Sequence, residues 1–147
     1  MLSEVAVFEI AGCTQRNFPI KTFYSLATKV CYTFYRQGHA LTVDPNDASK
    51  CKIEKITDAD LGNMYLLFDQ ALVVRSSSSI LFFKIDAETG DWKQYRKFEN
   101  MRGQIYFIRG NIRIQIVTDE KIYFYLIDQE TLEPRLENVM YNFMQCS

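Results

Sequence analysis

The 147 residues hold one histidine, one tryptophan, four cysteines and six glycines, and these scarcities set limits before any pattern is sought. His39 is the sole imidazole, so a multi-histidine metal site or a paired-histidine relay has no material. Cys13, Cys31, Cys51 and Cys146 are widely spaced, with no C-x-x-C pair, which gives a tetrahedral zinc site no support. Such unpatterned thiols fit a reducing compartment, and the expected location is cytoplasmic or nuclear. The glycines form neither G-x-G-x-x-G nor G-x-x-x-x-G-K, so no loop is built to cradle phosphate. No cofactor and no metal are expected, and a small-molecule ligand is disfavoured. Charge is nearly balanced, with 17 Lys and Arg against 18 Asp and Glu, so no global field attracts nucleic acid or an anionic membrane. No apolar run approaches the ~20 residues of a membrane helix, so membrane insertion is not expected. Met1-Leu2-Ser3-Glu4-Val5 lacks the basic and long apolar regions of a secretory leader.

What the chain has in quantity is strand-forming material. Nine Tyr and eleven Phe accompany many Val and Ile, within a composition that is 48% hydrophobic and 24% charged. The length suits one domain with a real core.

An internal repeat organises these residues. Ala40-Leu41-Thr42-Val43-Asp44, Phe82-Phe83-Lys84-Ile85-Asp86 and Phe124-Tyr125-Leu126-Ile127-Asp128 are alike, and their aspartates are 42 residues apart. Extended backwards without a gap, the phase aligns Phe23, Tyr65 and Phe107. It also aligns Val30, Leu72 and Ile114, and then Tyr32, Val74 and Ile116. With half the residues apolar, one three-way match arises by chance about one time in eight. Eight such columns, with an Asp column beside them, exceed chance.

Each copy predicts strand, turn, strand, turn, strand, turn, strand: an all-β chain of three ~42-residue four-stranded antiparallel units. The units run about 20–61, 62–103 and 104–147, with an additional strand over about 4–10, in a single β-repeat domain spanning 1–147. In the second copy the strands are Met64–Phe68, Ala71–Arg75, Ile80–Ile85 and Trp92–Phe98. Apolar residues at successive positions suit sheets covered on both faces.

Asp69–Trp92 resembles the core of a Trp-Asp repeat, the unit of one class of β-propeller. In that family a strand ends in Trp-Asp and passes into a turn of the form x-x-Thr-Gly. Ile85-Asp86-Ala87-Glu88-Thr89-Gly90 fills that slot with Ile in place of Trp, and Ile127-Asp128-Gln129-Glu130-Thr131-Leu132 fills it without the Gly. The chain has no Trp-Asp dipeptide, and Gly38-His39 precedes the third strand rather than the first. The resemblance implies degenerate propeller blades, either a partial propeller or a segment of a larger one. Three units of this size also suit a β-trefoil, which would imply a ligand- or carbohydrate-binding protein. Length favours the trefoil; the short-turn meander and the Asp-x-x-Thr-Gly turn favour the propeller.

Candidate site residues are few. His39, with no nucleophile placed beside it, reads as a turn residue entering a strand. Asp44, Asp86 and Asp128 read as structural turn residues whose carboxylates bond the local backbone, although three carboxylates gathered on an axis would suit a cation. Trp92, Lys93, Tyr95, Arg96, Lys97 and Arg102 form the one basic and aromatic cluster, a possible protein interface. No catalytic residue emerges, and the expected function is a noncatalytic scaffold with other protein subunits as partners.

Overall fold

The computed structural model describes residues 19–26, 28–47, 49, 51–68, 70–101, 103–108 and 113–142. The strand expected over about 4–10 lies outside them, as do Cys13, Arg102 and Cys146. Twelve strands are described, in three four-stranded sheets. β1 (Pro19–Ser25), β2 (Val30–Tyr35), β3 (His39–Val43) and β4 (Lys52–Lys55) form the first. β5 (Met64–Leu67), β6 (Ala71–Arg75), β7 (Ser79–Ile85) and β8 (Trp92–Glu99) form the second. β9 (Gln104–Ile108), β10 (Arg113–Val117), β11 (Lys121–Ile127) and β12 (Pro134–Tyr141) form the third. Neighbours within each sheet are consecutive and antiparallel. The chain divides into two compact units, Met1–Asn63 and Met64–Ser147.

In the first unit, Tyr32, Phe34, Ala40 and Thr42 are buried on one face of the sheet. Phe23 packs on Tyr32 and Phe34, with ring centroids 5.3 and 5.9 Å apart. The turn after β2 requires glycine. Gly38 has φ +96°, and a Cβ there would lie 2.0 Å from the carbonyl oxygen of Thr57. Close approach at this point lets Ile56 N–H reach the Gly38 carbonyl at 2.8 Å, prolonging the β3–β4 ladder.

In the second unit, two sheets pack face to face. Leu67, Ala71, Val73, Ile80 and Phe82 of one sheet meet Ile105, Ile114, Ile116, Tyr125 and Ile127 of the other. Phe98 is the hinge of an aromatic row, its ring 5.2 Å from Phe82 and 4.9 Å from Tyr125. Residues of the alternate phase in β6 and β7 (Leu72, Val74, Leu81 and Phe83) are buried too. Unbroken apolar runs in these strands thus reflect a sheet covered on both faces.

Register corrects the gapless alignment of the copies. Leu41 lies opposite Thr33, whereas its counterparts Phe83 and Tyr125 lie opposite Leu72 and Ile114. Thr33, not Val30, therefore takes the Leu72 position, because the β2–β3 hairpin turns within Arg36-Gln37-Gly38 and is three residues shorter. Similarly, Leu72 faces Leu66 but Ile114 faces Phe107, so the counterpart of Tyr65 is Tyr106. In both comparisons hairpin length absorbs the slip, and inward and outward sides are preserved.

Candidate protein-interaction surface

β8 carries the basic and aromatic cluster, and its geometry is set by a bulge. Phe82 faces Arg96 while Phe83 faces Gln94, leaving Tyr95 as the extra residue. The same irregularity recurs 42 residues on, between Phe124 and Tyr125, with Glu137 as the extra residue. Trp92 falls opposite Ile85 and is buried, with 4% of its surface exposed, so its ring is not part of an exposed patch.

Tyr95 and Arg96 both reach across to the neighbouring sheet, Tyr95 largely buried and Arg96 still exposed. The Tyr95 hydroxyl donates to the Leu132 carbonyl oxygen at 2.6 Å, and its ring meets Phe82 edge-on. Burial, reinforced by the nearby Glu133 carboxylate, pushes the phenol pKa well up, so it stays a neutral donor. Lys84 places its ammonium 4.7 Å from the centre of that ring. Arg96 donates from Nε and Nη2 to Glu133 Oε2 at 3.1 and 2.7 Å. Lys93 pairs with Asp86 at 3.1 Å and Lys97 with Glu99 at 3.3 Å. The cluster is therefore a line of intrachain ties with its cationic side chains partly exposed along one strand. Spacing alone did not reveal Leu132 and Glu133 as the partners, because they belong to the next copy.

The aspartate column occupies like turns. Asp44 Oδ1 accepts from Asn46 N–H at 2.9 Å. Asp86 Oδ1 accepts from Glu88 and Thr89 N–H at 2.8 and 3.2 Å, and Asp128 Oδ1 from Glu130 and Thr131 at 2.8 and 3.0 Å. Hydrogen bonds from the backbone hold the Asp86 and Asp128 carboxyls below the usual range. His39 begins β3, opposite Tyr35 and Lys55, where burial and then the Lys55 charge lower its pKa and favour the neutral ring. Cys31 and Cys51 are half-buried free thiols. Among the described residues no three His, Cys, Asp or Glu side chains converge as a metal site would require, and no helix is long and apolar enough to cross a membrane.

Two features had no clear mark in the sequence. One is the outermost strand of the third sheet, β12, where Leu136, Val139, Met140 and Tyr141 are all exposed. The other is an open polar cavity of about 470 Å³, lined by Ser78, Asn100, Met101, Thr118, Glu120 and Tyr123 with Asp119 and Lys121. Its walls are turns contributed by successive copies, which a linear reading does not bring together.

Comparison with protein-family models and with curated proteins gives no match. Solved structures do match in fold. The β-propeller domain of Cps50 (Swd1) from Myceliophteria thermophila superposes with a TM-score of 0.56 at 12% identity, over 86% of this chain and 44% of that one. The periplasmic gluconolactonase PpgL of Pseudomonas aeruginosa gives 0.52 at 12% identity, over 82% and 39%. A Lactobacillus plantarum protein gives 0.52 at 11%, over 84% and 41%. The chain thus spans less than half the length of these structures. Four-stranded antiparallel meanders recurring three times, matched to propeller domains, exclude the trefoil: the three sheets are β-propeller blades, and the chain has the fold of a partial propeller.

Proposed function

We propose that the chain is a noncatalytic protein-interaction scaffold, a propeller segment that presents fixed surfaces to other protein subunits in the cytoplasm or nucleus. The observation that carries this reading is the seam between the second and third sheets. Tyr95 is tied to Leu132 and Arg96 to Glu133, which holds β8 in a set position while Lys93, Gln94, Arg96 and Lys97 remain exposed. A rigid strand with exposed cationic side chains suits an acidic protein surface, since little ordering entropy is lost on binding. On β12 the exposed Leu136, Met140 and Tyr141 offer the apolar anchors on which binding energy concentrates. The test is quantitative binding to candidate subunits before and after Lys93→Glu with Lys97→Glu. Loss of affinity with unchanged thermal stability supports the surface; unchanged affinity for every partner removes it.

A second reading is a hydrolase acting on a sugar lactone, favoured by the polar cavity at the turns and by a gluconolactonase among the fold matches. Asp119, Glu120 and Lys121 would then be the groups acting on substrate. Turnover of a gluconolactone by the purified chain, abolished by Asp119→Asn or Glu120→Gln, would establish it over the scaffold.

A further inference from the structure

We propose that the cavity between the turns of the second and third sheets binds a neutral saccharide, an inference that goes beyond the scaffold reading and shares only its location with the hydrolase one. Its walls are held by a tie that recurs in both copies. Met101 N–H donates to the Ser78 carbonyl oxygen at 3.0 Å, and Asn142 N–H donates to the Glu120 carbonyl oxygen at 2.8 Å. Asn142 Nδ2 also donates to the Thr118 carbonyl oxygen at 2.9 Å. The Thr118 hydroxyl closes its own turn by donating to the Lys121 carbonyl oxygen at 2.9 Å. Met101 and Tyr123, both in the lining, pack against the core that the two sheets share. Tyr123 lies opposite Ile116, and its ring is stacked 6.5 Å from that of Tyr125. The turns and the two apolar side chains are thus in position before any ligand arrives.

The polar side chains of the lining are left over. Among the described residues, none of Ser78, Asn100, Asp119, Glu120, Lys121 and Tyr123 engages its side-chain polar group in a hydrogen bond or ion pair. The cations of β8 differ, since Lys93, Arg96 and Lys97 each have a carboxylate partner. A volume of about 470 Å³ falls in the ordinary range of small-ligand sites. The chemistry of the lining narrows the ligand. An anion such as phosphate would meet the Lys121 ammonium beside two carboxylates, Asp119 and Glu120, and would be repelled. Lys121 likewise opposes a simple cation, and among the described residues no three His, Cys, Asp or Glu side chains converge on a metal ion. An apolar ligand would cover these groups without replacing the water they lose. A hydroxyl both donates and accepts, so a ring of hydroxyls serves carboxylate, amide and ammonium together. The C–H face of the same ring suits the Tyr123 ring and the Met101 side chain. Such a ligand needs no glycine-rich phosphate cradle, the absence of which disfavours other small molecules.

The experiment is a ligand-observed NMR titration of the purified full chain. Its probes are the methyl glycosides of glucose, galactose, mannose and N-acetylglucosamine, with gluconate as an anion of similar size. At least one neutral glycoside is expected to saturate the chain, with gluconate weaker by about ten-fold or more. Asp119→Ala alters an exposed position, and Asn100→Gly keeps the left-handed φ of +55° while removing the amide. Each should weaken that glycoside by about three- to ten-fold and leave the urea midpoint little changed. Three results overturn the proposal: no saturation by any glycoside, gluconate binding as tightly or more tightly, or binding indifferent to both substitutions. Methyl glycosides contain no lactone, so binding without turnover of gluconolactone separates this inference from the hydrolase reading. Lys93→Glu with Lys97→Glu, which tests the scaffold surface, should leave glycoside binding intact, so the two fail separately.

Discussion

The hydroxyl of Tyr95 and the carbonyl oxygen of Leu132, 2.6 Å apart, join the outer strand of one blade to the last turn of the next. Leu132 holds φ +64°, a left-handed conformation that closes the turn, with its N–H donating to the Asp128 carbonyl at 2.7 Å. A leucine accepts that conformation at some cost. Removing the phenolic oxygen leaves a carbonyl of a 5%-exposed residue without this donor. Tyr95→Phe should therefore destabilise the chain by about 1–3 kcal/mol in urea unfolding, more than an exposed hydrogen bond would cost.

The neighbouring ion pair should matter less. Arg96 and Glu133 keep 46% and 41% of their side-chain surface exposed. A double-mutant cycle with Arg96→Ala and Glu133→Ala is expected to give a coupling below about 1 kcal/mol that shrinks as salt is raised. A larger, salt-insensitive coupling would show that the pair is shielded from water.

Glycine substitutions separate strain from crowding. At Gly38 a new Cβ meets both the left-handed φ and the Thr57 carbonyl, whereas at Gly90, φ +74°, nothing lies within 4 Å. Gly90→Ala should cost about 1 kcal/mol, the price of conformation alone. Gly38→Ala should cost clearly more, because the Thr57 backbone must move; thermal melts of the two variants decide it.

Acid unfolding should report the aspartate turns. The folded carboxyls of Asp86 and Asp128 lie below their ordinary values, because backbone N–H groups from Glu88 and from Thr131 and Glu130 bond the charged form; Lys93 reinforces the effect at Asp86. A depressed folded pKa contributes stability that is complete above the unfolded value, about pH 4, and is lost as pH falls through the folded one. Asp128→Asn keeps an acceptor for the turn but removes the titration. The variant should thus be less stable than the wild type at pH 7, by the charge-dependent part of the turn's hydrogen bonds, and the two should converge as pH falls below about 4.

Much of the architecture was written in residue spacing. The aspartate column, Gly and Ser at the turns, and runs such as Ala71–Arg75 located the four-strand unit, because turn chemistry is local. Alignment without gaps failed at Val30 and Tyr65, since hairpin length is decided by how a particular turn closes, as at Gly38. The interaction surface was less legible. Trp92 and Lys93 are adjacent in sequence, yet one is buried and the other exposed, and Tyr95 is claimed by a carbonyl 37 positions away. Burial of a strand residue depends on what lies over it, and period alone does not report that.

The doubled residue in β8 has an effect on sidedness. Trp92 and Phe98 are six positions apart, a separation that leaves two residues of a regular strand on the same side. Because Tyr95 is inserted between their ladder partners, Trp92 pairs with Ile85 and Phe98 with Ile80, which point to opposite sides. A single polypeptide segment thus sends one large ring into each of two layers, like a rivet with a head at both ends. Removing that one position would leave every other residue in place in the sequence and still turn half of the strand inside out.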